Sequence, residues 1–406
     1  MKKTCDILAI IIIITSIVSK LSINIIAIPL IILWIITAYI ESPKKFSEFF
    51  LGNKKVVLCI YIWLLTSIFL YFIKNTFMTS YELKNVFRIA VNLLIFGYYF
   101  YLKDKNRLEF LYNISIITII IYSILTVKEL ISNPYISRIL STGYRDKYLV
   151  KNKFIGGYDF AYGLTFILIP YIYIIIELKL THNINKFISI VVFSILTVTL
   201  LYQQFTISII LLVIGLILNL LKVSKVTSVI IWTTVIIITI NAFSNGLIYL
   251  LDTMSNNLNQ EVIAEKINEL SESMKDRNVN STVDFKERIK RYKISLEEFI
   301  NDPFAFNENK KIGSHSELLD EYAKYGIVVA SVTTLTFYQY IKFIYLELNS
   351  NEKKRIWFCI SIVYVLFNLI NNTMFISTSL MIFFVTPSVI YLSKERKKEN
   401  EDSLDC

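Results

Sequence analysis

The side chains best suited to chemistry lie in one long polar stretch of the chain, from about residue 244 to 321. His315 stands there with two carboxylates just after it, Glu317 and Asp320, and with Arg288 upstream. A guanidinium group binds phosphate oxygens in a fixed geometry, and a neutral imidazole accepts a proton from a hydroxyl group near pH 7. The stretch therefore predicts a site for an anionic ligand with a candidate base beside it.

His315 lies in a pattern that is typical of a helix start. Ser314 is followed three residues later by Glu317 and then by two leucines, which is a capping box. It predicts a helix that begins at His315, whose free N–H groups would bind phosphate and disfavour a protonated imidazole. The alternative is that Ser314 and Glu317 only cap the helix while His315 packs in the loop. The other histidine, His182, lies in a predicted cytoplasmic connection.

An amphipathic helix is predicted just before this turn. Its apolar stripe consists of Phe285, Ile289, Tyr292, Leu296, Phe299 and Ile300. Pro303 ends the helix, because proline disfavours a helical residue before it. Arg288 flanks the stripe, whereas Lys290 and Arg291 point away from it, so Arg288 is the preferred functional guanidinium. The alternative is that the whole basic run is a solvated face near lipid headgroups.

A second polar loop, over residues 128–159, offers a further arginine. Arg145 follows the turn at Gly143, and a glycine turn suits a side chain held in one position. Arg145 equally fits a pair with Asp146 or with a lipid headgroup.

The rest of the 406-residue chain is apolar, and 55% of all residues are hydrophobic. The apolar runs are long enough to cross a bilayer, for which about 20 residues suffice. They fall at about 6–19, 22–40, 56–73, 86–102, 109–127, 160–176, 187–202, 205–221, 226–243, 322–346, 356–370 and 373–392. Because backbone in lipid must satisfy its own hydrogen bonds, each run is interpreted as a helix. The fold class is therefore an all-α polytopic integral membrane protein with about twelve transmembrane helices, ten or eleven being the alternatives.

Charge predicts the orientation of these helices. The net charge is +10, and much of it lies in short connections, as is typical of cytoplasmic loops that face anionic lipid. Both termini are then cytoplasmic, and a nucleic-acid partner is not expected. The two long loops face outward and are also rich in lysine and arginine, which favours binding of an anionic ligand.

The predicted organisation has four parts. Residues 1–243 carry nine spans, residues 244–321 form an extracytoplasmic loop, residues 322–392 carry three spans, and residues 393–406 form a cytoplasmic tail. A further amphipathic helix is predicted over residues 258–274 of the loop. The four cysteines lie outside the loop, so it is expected to fold without disulfides or a cysteine-based zinc site.

The stretch from Glu287 to Ile327 resembles the O-antigen and capsular repeat-unit polymerases, the Wzy-type members of the O-antigen ligase/polymerase superfamily. The resemblance lies in an arginine-bearing helix that ends in a proline turn, followed by a Gly-x-His-Ser element before a helix that re-enters the membrane. The matching residues are Glu287-Arg288-Ile289, Phe299 to Phe304, Gly313 to Asp320 and Tyr325-Gly326-Ile327. The usual Pro-Leu-x-Gly differs here, because Phe306 stands where the family has glycine.

The resemblance implies a reaction on the outer leaflet of the bacterial inner membrane. A glycan moves from polyprenyl diphosphate to a hydroxyl group of the next lipid-linked repeat unit. Arg288, Arg145 and Arg291 would hold the diphosphate, His315 would act on the acceptor hydroxyl, and Asp320 or Glu317 would tune His315. The resemblance implies no metal ion and no cofactor. The expected partners are a polyprenyl-diphosphate-linked oligosaccharide, the lipid bilayer, a chain-length regulator and a flippase.

Three other activities remain open at this point. A ligase of the same superfamily would use the same donor and a different acceptor. A transporter or flippase of lipid-linked sugars tends to carry charges within its spans and repeated halves, whereas these apolar runs hold few carboxylates. A polyprenyl-sugar glycosyltransferase with an acidic site in the first outer loop would need carboxylates near Lys20, and the sequence has none there.

Overall fold

The computed structural model describes residues 4–18, 24–52, 54–73, 78–132, 155–176, 183–203, 205–221, 253, 283–305, 310–372 and 374–393. Side chains are described for most of these residues, but not for residues 283–288, which include Arg288. The predicted span over 226–243, the predicted helix over 258–274 and the tail after residue 393 lie outside the described residues.

Every regular element in the described ranges is helical. The elements are α1 (Thr4–Ile17), α2 (Asn24–Glu41), α3 (Pro43–Phe50), α4 (Lys55–Ile73), α5 (Ser80–Leu102), α6 (Lys105–Ser132), α7 (Tyr158–Ile176), α8 (Asn183–Gln203), α9 (Thr206–Leu220), α10 (Val283–Asn301), α11 (Glu317–Glu347), α12 (Asn351–Ile370), α13 (Ile376–Leu380), a π-helical turn (Met381–Val385) and α14 (Thr386–Leu392). The all-α prediction is confirmed, and eleven of the twelve predicted apolar runs coincide with helices in this part of the chain. The short helix α3 fills what was predicted to be a plain connection.

Four of the described helices are long and apolar enough to cross a membrane. They are Lys55–Phe72, Ser80–Leu102, Lys105–Ser132 and Glu317–Glu347. Shorter apolar helices accompany them. On α4, Leu65, Phe69 and Phe72 are at least 64% exposed. Large apolar side chains in a continuous exposed stripe suit contact with lipid rather than with water.

One end of the helix bundle, here called the Arg107 end, is joined by a buried ionic cluster. The Arg107 guanidinium binds the Asp6 carboxylate at 2.5 Å and lies 3.5 Å from Glu41. Tyr99 donates a hydrogen bond to Asp6 at 2.9 Å. The cluster ties the first turn of α1 to the last turn of α2, the C-terminal part of α5 and the first turn of α6.

The opposite end, here called the His315 end, joins α1, α5 and α11. Arg88 of α5 donates a hydrogen bond to the Thr15 carbonyl near the end of α1, at 3.1 Å. Lys324 of α11 pairs with Glu82 in the first turn of α5. Helices α1 and α5 therefore run in opposite directions, since α1 begins and α5 ends at the Arg107 end.

Helix α13, the π-helical turn and α14 form the buried centre of the bundle. Phe384 stacks on Phe96 with ring centroids 4.2 Å apart, and Phe383 stacks on Phe337 at 5.3 Å. All residues from 377 to 390 of this segment are buried, as a central position requires. The first residues of α13 lie at the His315 end, where they border the candidate site.

Candidate functional site

The turn that carries His315 joins α10 to α11. Ser316 is the N-cap residue of α11, and its hydroxyl group accepts a hydrogen bond from the Leu319 N–H at 3.2 Å. The Ser316 N–H in turn binds the Asp320 carboxylate at 3.0 Å. The predicted cap at Ser314 with Glu317 was therefore wrong by two residues, since Ser316 is the N-cap residue and its N–H binds Asp320 rather than Glu317.

Asp320 also fixes this turn against α10. The Ser295 hydroxyl group, which is fully buried, donates to the second oxygen of Asp320 and accepts the Gly313 N–H at 2.9 Å. Gly313 lies so close to α10 that an added Cβ would stand 2.1 Å from the Arg291 carbonyl oxygen. Asp320, predicted to tune His315, thus has both oxygens engaged in holding the turn in place.

The other side of the turn rests on the end of α12. The Ser316 hydroxyl group donates to the Asn368 carbonyl at 3.2 Å, and the Asn372 amide donates to the Ser314 carbonyl at 3.4 Å. Ser314 itself adopts a left-handed conformation with φ of 59°. His315 is half-buried between these anchors, two residues before the first helical residue of α11. Its position is fixed by contacts from three helices.

Glu317 connects the turn to the segment that enters α13. Its N–H donates to the Asn371 carbonyl at 3.1 Å, and its carboxylate accepts the Met374 N–H at 3.1 Å. This carboxylate therefore positions the chain between α12 and α13.

The structure describes only some of the arginines of the predicted site. Arg145 and the side chain of Arg288 lie outside the described residues. The backbone of Arg288 belongs to α10, seven residues before Ser295, which places it on the same face about 10 Å further along the axis. Arg291 is half-buried, and its carbonyl packs on Gly313. The structure thus brings His315, Glu317, Asp320 and the backbone of Arg291 together.

The predicted apolar stripe of α10 divides into two faces. Tyr292 donates a hydrogen bond to the Ile370 carbonyl at 2.7 Å, and Phe299 packs edge-on against Tyr322. Ile289, Leu296 and Ile300 are exposed. The single buried stripe was therefore wrong, because the face on α11 centres on Ser295.

No family model, no curated protein and no solved structure matches this chain. The resemblance to the repeat-unit polymerases thus depends on the residues between Glu287 and Ile327.

Sequence reasoning missed a polar cavity of about 180 Å³ at the same end of the bundle. Its polar lining comes from α1, α5, α7 and α13, and it includes Ser16, Tyr81, Lys84, Asn85, Arg88, Asp159 and Ser377. Arg88 lies inside the predicted span over 86–102, and a cation within an apolar run is itself a signal of function. No group of three or more His, Cys, Asp or Glu side chains that could hold a metal ion occurs in the described part of the chain.

The cavity borders the His315 turn through two contacts. Glu317 binds the Met374 N–H, and the next three residues of the chain line the cavity. On the other side, Lys324 of α11 pairs with Glu82, which is adjacent to the cavity residue Tyr81. Through these contacts, a shift of α11 would move residues next to the cavity lining.

Proposed function

We propose that the protein polymerises lipid-linked oligosaccharide repeat units at the outer face of a bacterial inner membrane. In each step the bond between the anomeric carbon of the growing glycan and the diphosphate oxygen breaks. A new bond forms between that carbon and a hydroxyl oxygen of the next lipid-linked unit. The hydroxyl proton goes to His315, and polyprenyl diphosphate leaves with its electron pair.

One observation carries this proposal, namely the fixed position of the His315 turn. Ser295 of α10, Asn368 of α12 and Asp320 of α11 hold the turn at one end of an apolar bundle. A general base must be held within hydrogen-bonding reach of the hydroxyl group that it deprotonates. A half-buried histidine that is anchored through its neighbours meets that requirement.

The leaving diphosphate needs positive charge. Arg288 and Arg291 of α10, together with Arg145 of the polar loop over residues 128–159, are the proposed ligands, because guanidinium groups bind phosphate in a bidentate manner. Charge that is already in position stabilises the transition state without reorganisation at the moment of reaction. This assignment requires no metal ion or cofactor.

Asp320 and Glu317 take a different role from the one first expected. Because their carboxylates bind main-chain N–H groups of the turn and of residue 374, we assign them as positioning residues for His315 and for the entry of α13. Their loss should lower activity through misplacement of the turn rather than through a change in proton transfer.

One observation favours a second candidate, a flippase for lipid-linked sugars. Lys84, Arg88 and Asp159 line a cavity within the helical bundle, and charges inside a bundle are common along transport paths. A ligase of the same superfamily, with the same donor, is the third possibility.

Deletion of the gene in its host, followed by gel analysis of surface glycan, distinguishes the three. Loss of a polymerase leaves single repeat units attached at the surface. Loss of a ligase leaves polymer on the lipid carrier and none attached, and loss of a flippase traps single units inside the cell. A ladder of normal length in the deletion strain would refute the polymerase.

A further inference from the structure

The cavity between α1, α5, α7 and α13 is lined by two cations, neither of which pairs with a carboxylate among the residues that the structure describes. Lys84 and Arg88 are four residues apart on α5, so they lie on the same face, and both line the cavity. No carboxylate in the described part of the chain lies within ion-pair distance of either side chain. Arg88 donates one hydrogen bond, to the Thr15 carbonyl at 3.1 Å.

At the other end of the bundle, by contrast, the arginines lie beside carboxylates. Arg107 is bound by Asp6 and lies beside Glu41, and Arg355 lies 3.6 Å from Glu352. Arg88 is half-buried and Lys84 is exposed, and two like charges at a spacing of four residues repel each other. Arg88 and Lys84 therefore form a pair of cations that an anionic ligand would neutralise.

The remaining lining fits a phosphate-bearing group. Asp159 is the one carboxylate among the lining residues, and the Ser377 hydroxyl group donates to it at 2.7 Å. With Asp159 ionised, the two cations still leave the cavity with an excess positive charge. Tyr81, Asn85 and Ser16 add neutral polar groups, as phosphate oxygens require.

We propose that this cavity, through Arg88 and Lys84, binds the phosphate or diphosphate group of an anionic ligand. The identification of that ligand as a lipid-linked diphosphate rests on the proposed function. The site lies within the helical bundle and is distinct from the arginines of α10. Its position beside Glu317 and Lys324 would place the bound group next to the His315 turn.

Binding to the full-length protein in lipid nanodiscs tests the proposal, with farnesyl diphosphate, inorganic pyrophosphate and uncharged farnesol as probes. Arg88→Gln should weaken farnesyl diphosphate binding at least about tenfold, because a charged hydrogen bond is lost. Arg88→Lys should retain part of the affinity. The matched control is Lys103→Gln, which removes an exposed cation at the Arg107 end.

The probes separate the two sources of the anion. Farnesyl diphosphate that binds more tightly than pyrophosphate, with no binding of farnesol, identifies a lipid-linked ligand. Equal affinity for the two anions identifies a free phosphate compound in the same site. Unchanged binding by Arg88→Gln, or equal weakening by Lys103→Gln, would overturn the proposal.

Folding and function are controlled separately. Arg88→Gln should lower the melting temperature only slightly without ligand, since it loses one hydrogen bond to the Thr15 carbonyl and no described carboxylate loses its partner. A large decrease would assign Arg88 a structural role and overturn the proposal. If cells with His315→Ala retained polymer, the proposed reaction would be wrong. The binding measurement would still test whether the cavity binds a phosphate group.

Discussion

The Ser295 hydroxyl group donates a hydrogen bond to the Asp320 carboxylate, and the two residues are 25 positions apart on different helices. Ser295 is fully buried and also binds the Gly313 N–H. The contact therefore forms a closure that holds Gly313 and the first turn of α11 against α10. His315 owes its position to this closure, because it stands between Gly313 and Asp320.

Ser295→Ala should destabilise the protein by about 1–3 kcal/mol, since Asp320 and the Gly313 N–H each lose a buried partner. Thermal unfolding in detergent measures the effect. The matched control is Ser132→Ala, whose hydroxyl group donates within α6 at an exposed position and whose loss should cost little. Equal effects of the two variants would show that the closure does not stabilise the fold.

His315→Ala should reduce polymer length to single repeat units while expression and membrane insertion stay normal. Loss of a general base lowers the rate by roughly 10²–10⁴-fold. The chain provides its own control, because His182→Ala removes the other histidine and should leave the ladder unchanged. Wild-type chain lengths in His315→Ala cells would exclude a role as base.

Arg288→Ala should abolish polymer, whereas Lys290→Ala should have a mild effect. Position 288 shares the face of α10 that carries Ser295, and Lys290 is exposed on another face. The measurement is the same gel analysis with both variants at matched expression. If Lys290→Ala were as damaging as Arg288→Ala, net charge rather than position would govern the site.

Most of the helices were predictable, because long apolar runs mark them in the sequence. The start of α11 was not, since the capping-box pattern of Ser314 with Glu317 pointed to a start two residues too early, whereas the N-cap is Ser316. The choice between the two starts depends on Ser295, which reaches Asp320 from another helix. Local sequence contains no information about that contact.

The cavity could not be predicted from the sequence, for a related reason. Arg88 stood visibly within an apolar run, but its surroundings are contributed by helices that are far apart in sequence, including Thr15 of α1 and Ser377 of α13. The stripe of α10 failed similarly, because periodicity at 100° per residue does not reveal which side a neighbour occupies. Spacing predicts a face, and tertiary packing decides what covers it.

Gly326→Ala should destabilise the protein by about 1–3 kcal/mol and disturb the loop after α10. Gly326 breaks α11 with φ of 72°, and an added Cβ would lie 2.8 Å from the Phe304 backbone. The break also frees the Ile327 N–H to bind the Pro303 carbonyl at 2.7 Å. Gly97→Ala, where the nearest atom is the tip of the Phe49 ring at 3.2 Å, should cost less in the same unfolding measurement.

Arg107→Met should destabilise the protein far more than Lys103→Met, although both remove a cation from the same end of the bundle. The Arg107 side chain is 11% exposed and binds Asp6, whose side chain is 4% exposed. Loss of Arg107 therefore leaves the buried Asp6 carboxylate without its cation. Removal of one member of such a pair costs about 3–5 kcal/mol. The Lys103 side chain is 65% exposed beside Glu347, and an exposed pair contributes about 0–1 kcal/mol. Thermal unfolding of the two variants should differ accordingly, and equal losses would mean that burial does not govern the strength of this cluster.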